Sequence, residues 1–125
     1  MVSLADVLPT LAALTGKPLD ASEAGPQDGV NILPAFFGDP PEPLRRDMIL
    51  HSAAGVFAIR RGPWKWIEGV PAAGGPRAPP DQRRPQLYHL AEDPAETRDV
   101  AADHPDVARE LAALLRARRG AETAQ

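Results

Sequence analysis

Apolar positions repeat with a helical period at both ends of the chain and with a period of two in between. Near the start, Leu4, Val7, Leu8, Leu11 and Leu14 are spaced as one face of an α-helix. Pro9 fits only the first turn of such a helix, so regular helix is predicted to begin near Asp6, with Gly16 just past its end. An amphipathic helix normally buries its apolar stripe, so these side chains are expected in the core. The loop "KPLDASEAGPQDGV" follows, and then Asn31 is placed to cap a short turn, "ILPAFFG", ended by Gly38. Phe36 and Phe37 are expected as core contacts. "DPPEPLRRD" should run extended, because residues before proline avoid the α region.

Alternation takes over at "MILHS" (48–52), "VFAIRR" (56–61) and "WKWIE" (64–68). Gly62-Pro63 between the last two predicts a hairpin. Phe57, Ile59 and Arg61 should share one face of its first strand; Trp64, Trp66 and Glu68 should share one face of the second. "QLYHL" reads as a further strand, and residues 69–85 between, rich in Gly, Pro, Ala and Arg, are expected to form a flexible loop. Asp93-Pro94-Ala95-Glu96 matches a capping box, with Asp93 as N-cap and Glu96 at the third helical position, and predicts one helical turn. A long helix starts again at Asp103 or His104 with Pro105 in its first turn. Val107, Leu111, Leu114 and Leu115 form its apolar face, while Arg109, Arg116 and Arg119 are expected as a solvated, dipole-complementing set.

Composition narrows the chemistry. The 125 residues suit one domain and include no cysteine, which excludes a thiol nucleophile and any thiolate metal site in this chain. The net charge of −3 gives no basic footprint for nucleic acid. No stretch approaches the length of a membrane span. "MVSLADVLPTLAALTGK" lacks the basic start and cleavage site of a signal peptide. No serine lies in Gly-x-Ser-x-Gly, and "AAGGPRA" has no Walker lysine. The three histidines have no metal-ligand spacing. His51, which ends a predicted strand beside Ser52, is the one candidate substrate-binding residue; its bland reading is a hydrogen-bonded histidine at a sheet edge. Arg60, Arg61 and Lys65 could bind an anion, but cations alternating on a hairpin are commonly just solvated.

Four segments, in order, resemble the C-terminal region of the sulfatase family, in the alkaline-phosphatase-like superfamily. They are "VSLADVLPTLAALTG", "DGVNILPAFFG", "HS…GVFAIRRGPWKWIEG" and "LYHLAEDPAETRDVAADHPDVARELAALL". The matching positions are Asp6, Pro9, Thr10, Gly16, Asp28, Gly29, Arg60, Gly62, Lys65, Ile67, Leu87, Tyr88, Leu90, Asp93, Pro94 and Glu96. His89 stands where Asp or Asn is usual, Asp99 where Asn is usual, and Asn31 where Ser is common. The resemblance implies an α+β fold: a small antiparallel sheet of about four strands packed against a C-terminal helix, with an N-terminal helix beside it. It implies a single sulfatase C-terminal subdomain over 1–125, with a helical segment (1–38) that packs on a catalytic N-terminal domain absent from this chain, and a sheet plus helix over 47–118.

In sulfatases the nucleophile is a formylglycine made from Cys/Ser-x-Pro-x-Arg, and calcium is held by Asp-Asp and Asp-Asn pairs. Neither pattern occurs here. The resemblance therefore implies part of an enzyme that hydrolyses aryl or carbohydrate sulfate esters. This chain alone is expected to be inactive and to expose an apolar patch where the catalytic domain belongs, with calcium and formylglycine in the complete parent only. The alternative is a stand-alone, non-catalytic interaction or scaffold module derived from such a domain. Complete family members are often exported; the compartment of this chain stays open.

Overall fold

The computed structural model describes residues 1–17, 19, 29–53, 55–69 and 84–122. Asp28 and nearly all of the 69–85 loop therefore lie outside the described residues. The chain forms two compact units, Met1–Arg46 and Asp47–Gln125.

The second unit is the α+β body. Four strands, β1 (Asp47–His51), β2 (Phe57–Arg61), β3 (Trp64–Ile67) and β4 (Gln86–His89), form an antiparallel sheet in the order β1-β2-β3-β4. The β2–β3 connection is the two-residue Gly62-Pro63 turn, with Arg61 opposite Trp64. Gly62 takes φ +56° and proline supplies the fixed negative φ that follows, a combination suited to a tight hairpin. The register puts Ile49, Ile59, Trp66 and Leu87 in one row across the sheet. Helix α3 (Pro105–Glu122) lays Leu111 and Leu115 against that row, and Ile59, Leu87, Leu111 and Leu115 are all but fully buried. Each such side chain contributes roughly 1.5–3 kcal/mol by burial. The apolar face expected for this helix is the one it buries; Val107 and Leu114 pack at the edge of the cluster.

The outer edge of β4 is covered by the chain that follows it. Val100 donates its amide to the Leu87 carbonyl at 2.8 Å, and the Leu87 amide donates to Oδ1 of Asp99 at 3.1 Å. The same Oδ1 accepts from Ala101 at 3.0 Å. An asparagine carries the same acceptor, so Asp99 keeps the geometry of the residue usual at this position.

The turn before α3 departs from expectation. Asp93-Pro94-Ala95-Glu96 does not start a helix; the Glu96 amide closes a turn on the Asp93 carbonyl at 3.2 Å. Glu96 has φ +56°, the one non-glycine positive φ among the described residues. Its carboxylate, which a capping box would turn back to Asp93, instead grips Lys65 Nζ with both oxygens at 2.7 Å. Asp93 accepts the Arg98 amide at 2.8 Å and the Thr97 hydroxyl at 3.0 Å. The Arg98 amide, against opposing desolvation and helped by the Thr97 hydroxyl, holds the Asp93 carboxyl below its usual range. The long helix does begin at Pro105, directly after His104, whereas the Asp103 carboxylate pairs with Arg98 at 3.0 Å.

A left-handed non-glycine residue needs compensation, and the half-buried Lys65–Glu96 pair supplies it. Glu96→Ala keeps the strain and loses the pair, so it should cost about 1–2 kcal/mol, between exposed and buried ion pairs. Glu96→Gly, which removes the strain as well, should cost visibly less. Chemical denaturation of the two variants side by side measures the difference.

The first unit is organised around a carboxylate. A single 3-10 turn (Leu4–Asp6) leads into α1 (Val7–Leu14), and Ser3 and Asp6 form a capping box: the Asp6 carboxylate accepts the Ser3 amide at 2.8 Å. Thr15, Gly16 and Lys17 close the far end, with Gly16 donating to Ala13 and Lys17 to Ala12. Asn31 does not cap the helix itself: Leu33 is the N-cap of α2 (Pro34–Phe37), and the Asn31 Oδ1 accepts the Leu33 amide at 2.9 Å in the turn just before it.

The stripe of α1 is not core in this chain. Leu4, Val7, Leu8, Leu11 and Leu14 are all exposed, and Phe36 and Phe37 are 70% and 80% exposed. The buried side of the helix is polar: Asp6 is 0% exposed and Thr10 is 8% exposed. The reason is the partner. The segment 29–32 that packs on α1 offers backbone amides, which seek acceptors rather than leucine. Val30 donates to Asp6 and Ile32 donates to the Thr10 hydroxyl. Gly29 makes the approach possible, since a Cβ there would sit 2.5 Å from the Ala5 carbonyl oxygen.

Candidate functional site

His51 closes β1, opposite Phe57 at the start of β2. Beyond it the chain turns tightly. The Ser52 amide donates to the Val56 carbonyl at 2.9 Å, and the Ser52 hydroxyl accepts the Val56 amide at 3.1 Å. This turn leaves His51 exposed at the end of the sheet. Its imidazole leans on the Phe57 ring, with centroids 4.4 Å apart and planes tilted by 37°.

Phe57 is in turn held by a glutamate and an arginine. Its amide donates to Oε1 of Glu68 at 3.0 Å. Oε2 of Glu68 accepts from Nη1 of Arg119 at 3.0 Å, and the Arg119 guanidinium lies 3.9 Å from the Phe57 ring centroid. Arg119 is thus not one of a solvated set. Helical phase explains why: it lies four residues past Leu115, on the buried side of α3, close enough for its flat cation to cover the face of an aromatic ring. Arg109 behaves as expected, pairing at the surface with Asp106.

The structure does not gather the other sequence candidates here. His89 and His104 both lie against Trp64, with ring centroids 4.5 Å and 4.9 Å from it. Trp64 pairs with Arg61, at the opposite end of β2 from Phe57. Nδ1 of His89 is buried without a hydrogen bond, and the Glu92 carboxylate lies 3.5 Å away, too far and too exposed to count as a good one. Of the possible anion binders, Arg61 is paired with Glu110 and Lys65 with Glu96.

Arg45 is the residue that sequence reasoning missed. Its Nε donates to Oδ2 of Asp6 at 3.1 Å and its Nη2 to Oδ1, a two-pronged clamp on a carboxylate already holding Ser3 and Val30. Burial alone would raise the Asp6 carboxyl; Arg45 and the Val30 and Ser3 amides overcome that and bring it down to about 2. Nothing in the sequence pairs residues 39 positions apart, although an arginine after a proline-rich connector was visible. With every Asp6 contact satisfied and no opening to solvent, this group holds structure together rather than doing chemistry.

Among the described residues, no three His, Asp or Glu side chains converge as a metal ion would require. These residues do not fit the calcium that the family resemblance implies. No helix of the described residues is long and apolar enough to cross a membrane. The sequence candidate that reaches the surface is an exposed imidazole on a braced aromatic ring, able to donate to or accept from a ligand.

No family model matches the sequence. The chain is 34% identical over 119 residues to an N-acetylgalactosamine-6-O-sulfatase of Bacteroides thetaiotaomicron, covering 92% of this chain and 23% of the relative. It is 30% identical over 123 residues to arylsulfatase K of Danio rerio, covering 92% of this chain and 21% of the relative. A solved sulfatase structure from the glycosaminoglycan metabolism of Bacteroides thetaiotaomicron superposes with a TM-score of 0.70 at 32% identity, over 90% of this chain and 24% of that one. The phosphonate monoester hydrolase of Agrobacterium radiobacter shares the fold, with a TM-score of 0.57 at 24% identity. The chain spans less than a quarter of the length of the curated relatives it matches at 30% identity or more.

Proposed function

Since the chain belongs to the sulfatase family and corresponds to its C-terminal region, we propose that it serves as the C-terminal part of an enzyme hydrolysing sulfuric esters, aryl or carbohydrate. The observation that carries this reading is the inverted helix α1. It buries Asp6 and Thr10 and exposes five apolar side chains, with Leu8 at 63% and Leu4 at 91%. An apolar stripe of that extent on a helix wants a partner, and the family supplies one in its catalytic part. The residues that carry the family resemblance support a structural role. Asp6, Thr10 and Gly29 lock the loop to α1, and Lys65 with Glu96 locks the turn before α3.

In this reading the formylglycine nucleophile and the calcium belong to the catalytic part. A metal there would neutralise sulfate charge; among the described residues no three His, Asp or Glu side chains converge to hold one. His51 stands at the rim of the substrate pocket and contributes a hydrogen bond to the ester. The name of one relative, an N-acetylgalactosamine-6-O-sulfatase, favours a sulfated sugar as the ligand.

The test is an assay of the purified chain, with calcium and an aryl sulfate, in parallel with the same chain joined to or mixed with a sulfatase catalytic part. The chain alone should show no turnover above background, and the combined protein should turn over. Turnover by the chain alone, or none in the combined protein, overturns the reading.

A further inference from the structure

We infer that Arg119, on α3, is a positioning residue that fixes the orientation of the His51 imidazole by acting through Phe57. This rests on the reading of His51 as a residue facing substrate.

His51 is exposed at the end of β1, and its ring lies against the Phe57 ring. An exposed imidazole on a ring that itself swings would sample several rotamers. The Phe57 ring does not swing freely, because three contacts form a closed circuit around it. Its backbone amide is fixed to one oxygen of Glu68, the other oxygen of Glu68 holds Arg119, and Arg119 returns to cover the Phe57 ring. Strand β2, the residue after β3, and the last turns of α3 each contribute one member. The circuit therefore exists only when the helix is docked on the sheet. Glu68 balances the guanidinium charge, so Arg119 is not held out to an anionic ligand. Its flat face is spent on the ring and its edge on the carboxylate, a pairing that suits arginine better than lysine. The neighbouring Arg118 goes elsewhere, to Asp47 at 3.0 Å, which makes the arrangement specific to one arginine of the run.

The readout is the NMR signature of the His51 ring protons, which the Phe57 ring current displaces from their free positions. In Arg119→Met most of that displacement should vanish and the His51 side-chain couplings should average. Arg119→Lys should restore part of it. Arg118→Met, with equal loss of charge, should leave the His51 signals in place. Unchanged His51 signals in Arg119→Met within an otherwise native amide spectrum would overturn the inference, as would an equal change in Arg118→Met. If Arg119→Met fails to fold, Glu68→Gln decides. It keeps an acceptor for the Phe57 amide and weakens the hold on Arg119, so it must shift His51 in the same direction, and a null result there overturns the inference. Titration of the chain combined with the catalytic part, using N-acetylgalactosamine-6-sulfate, separates the two readings: a His51 that ignores the sugar there removes the substrate role and leaves the effect of Arg119 on its orientation standing.

Discussion

Replacing Asp6 by alanine is expected to cost about 3–5 kcal/mol in the first unit, the range for breaking a buried ion pair from one side. Asp6 is fully buried and the Arg45 side chain is 10% exposed, so the arginine left behind loses its buried carboxylate without gaining full access to water. Val30 and Ser3 lose their acceptor at the same stroke. The measurement is amide hydrogen exchange. Val30 and Ile32 should lose protection in the variant while Ile59 and Leu87, in the core of the other unit, keep theirs. Retained protection at Val30 would show that packing alone holds the loop. Asp6→Asn should cost less than alanine, because one amide oxygen can still accept, but it cannot clamp both prongs of Arg45.

The same carboxylate gives a pH dependence of definite sign. The Asp6 carboxyl is lowered from 3.8 to about 2 on folding. A lowered folded-state value means the unfolded chain takes up the proton first, so the stabilisation is complete above pH 3.8 and fades as the pH falls towards 2. At neutral pH its size is about 2 kcal/mol. Acid titration of Val30 protection should show that loss in the wild type and none in Asp6→Ala.

The second large effect concerns the exposed face of α1. Leu8→Asp combined with Leu11→Asp should leave the chain folded, because both positions already face solvent. In the proposed enzyme the same pair of changes should abolish association with the catalytic part. Each leucine forfeits roughly 1.5–3 kcal/mol of burial, and each new carboxylate would be desolvated without a partner, which costs further. Far-ultraviolet circular dichroism checks the fold, and co-purification with the catalytic part checks the association. A doubly substituted chain that still co-purifies would remove α1 from the interface. A doubly substituted chain that unfolds would show that the stripe stabilises this chain after all.

Both experiments turn on a helix whose pattern reads one way and behaves another. Periodicity located α1 correctly and ended it at the right residue, because local capping and the 3.6-residue repeat are properties of the chain itself. It assigned the wrong side to the interior, because which face is buried depends on what lies opposite. Here the segment bearing Val30 and Ile32 presents amides, so Asp6 and Thr10 turn inward. The capping box at Asp93 failed for a related reason. The motif is sound locally, but Lys65, thirty-one positions earlier, captures the Glu96 carboxylate and pulls the backbone into a left-handed turn.

What the sequence alone determined was the set of strands, the Gly62-Pro63 hairpin, the long helix with Leu111 and Leu115 on its buried side, and the resemblance to one family. All of these rest on periods, turns and caps that neighbouring residues impose on one another. Only the tertiary structure decided that Arg45 clamps Asp6, that Arg119 braces Phe57 beneath His51, and that the leucines of α1 face outward. Those are pairings between residues far apart in the chain. Charge and shape make each of them favourable, but only the folded backbone brings the partners within reach.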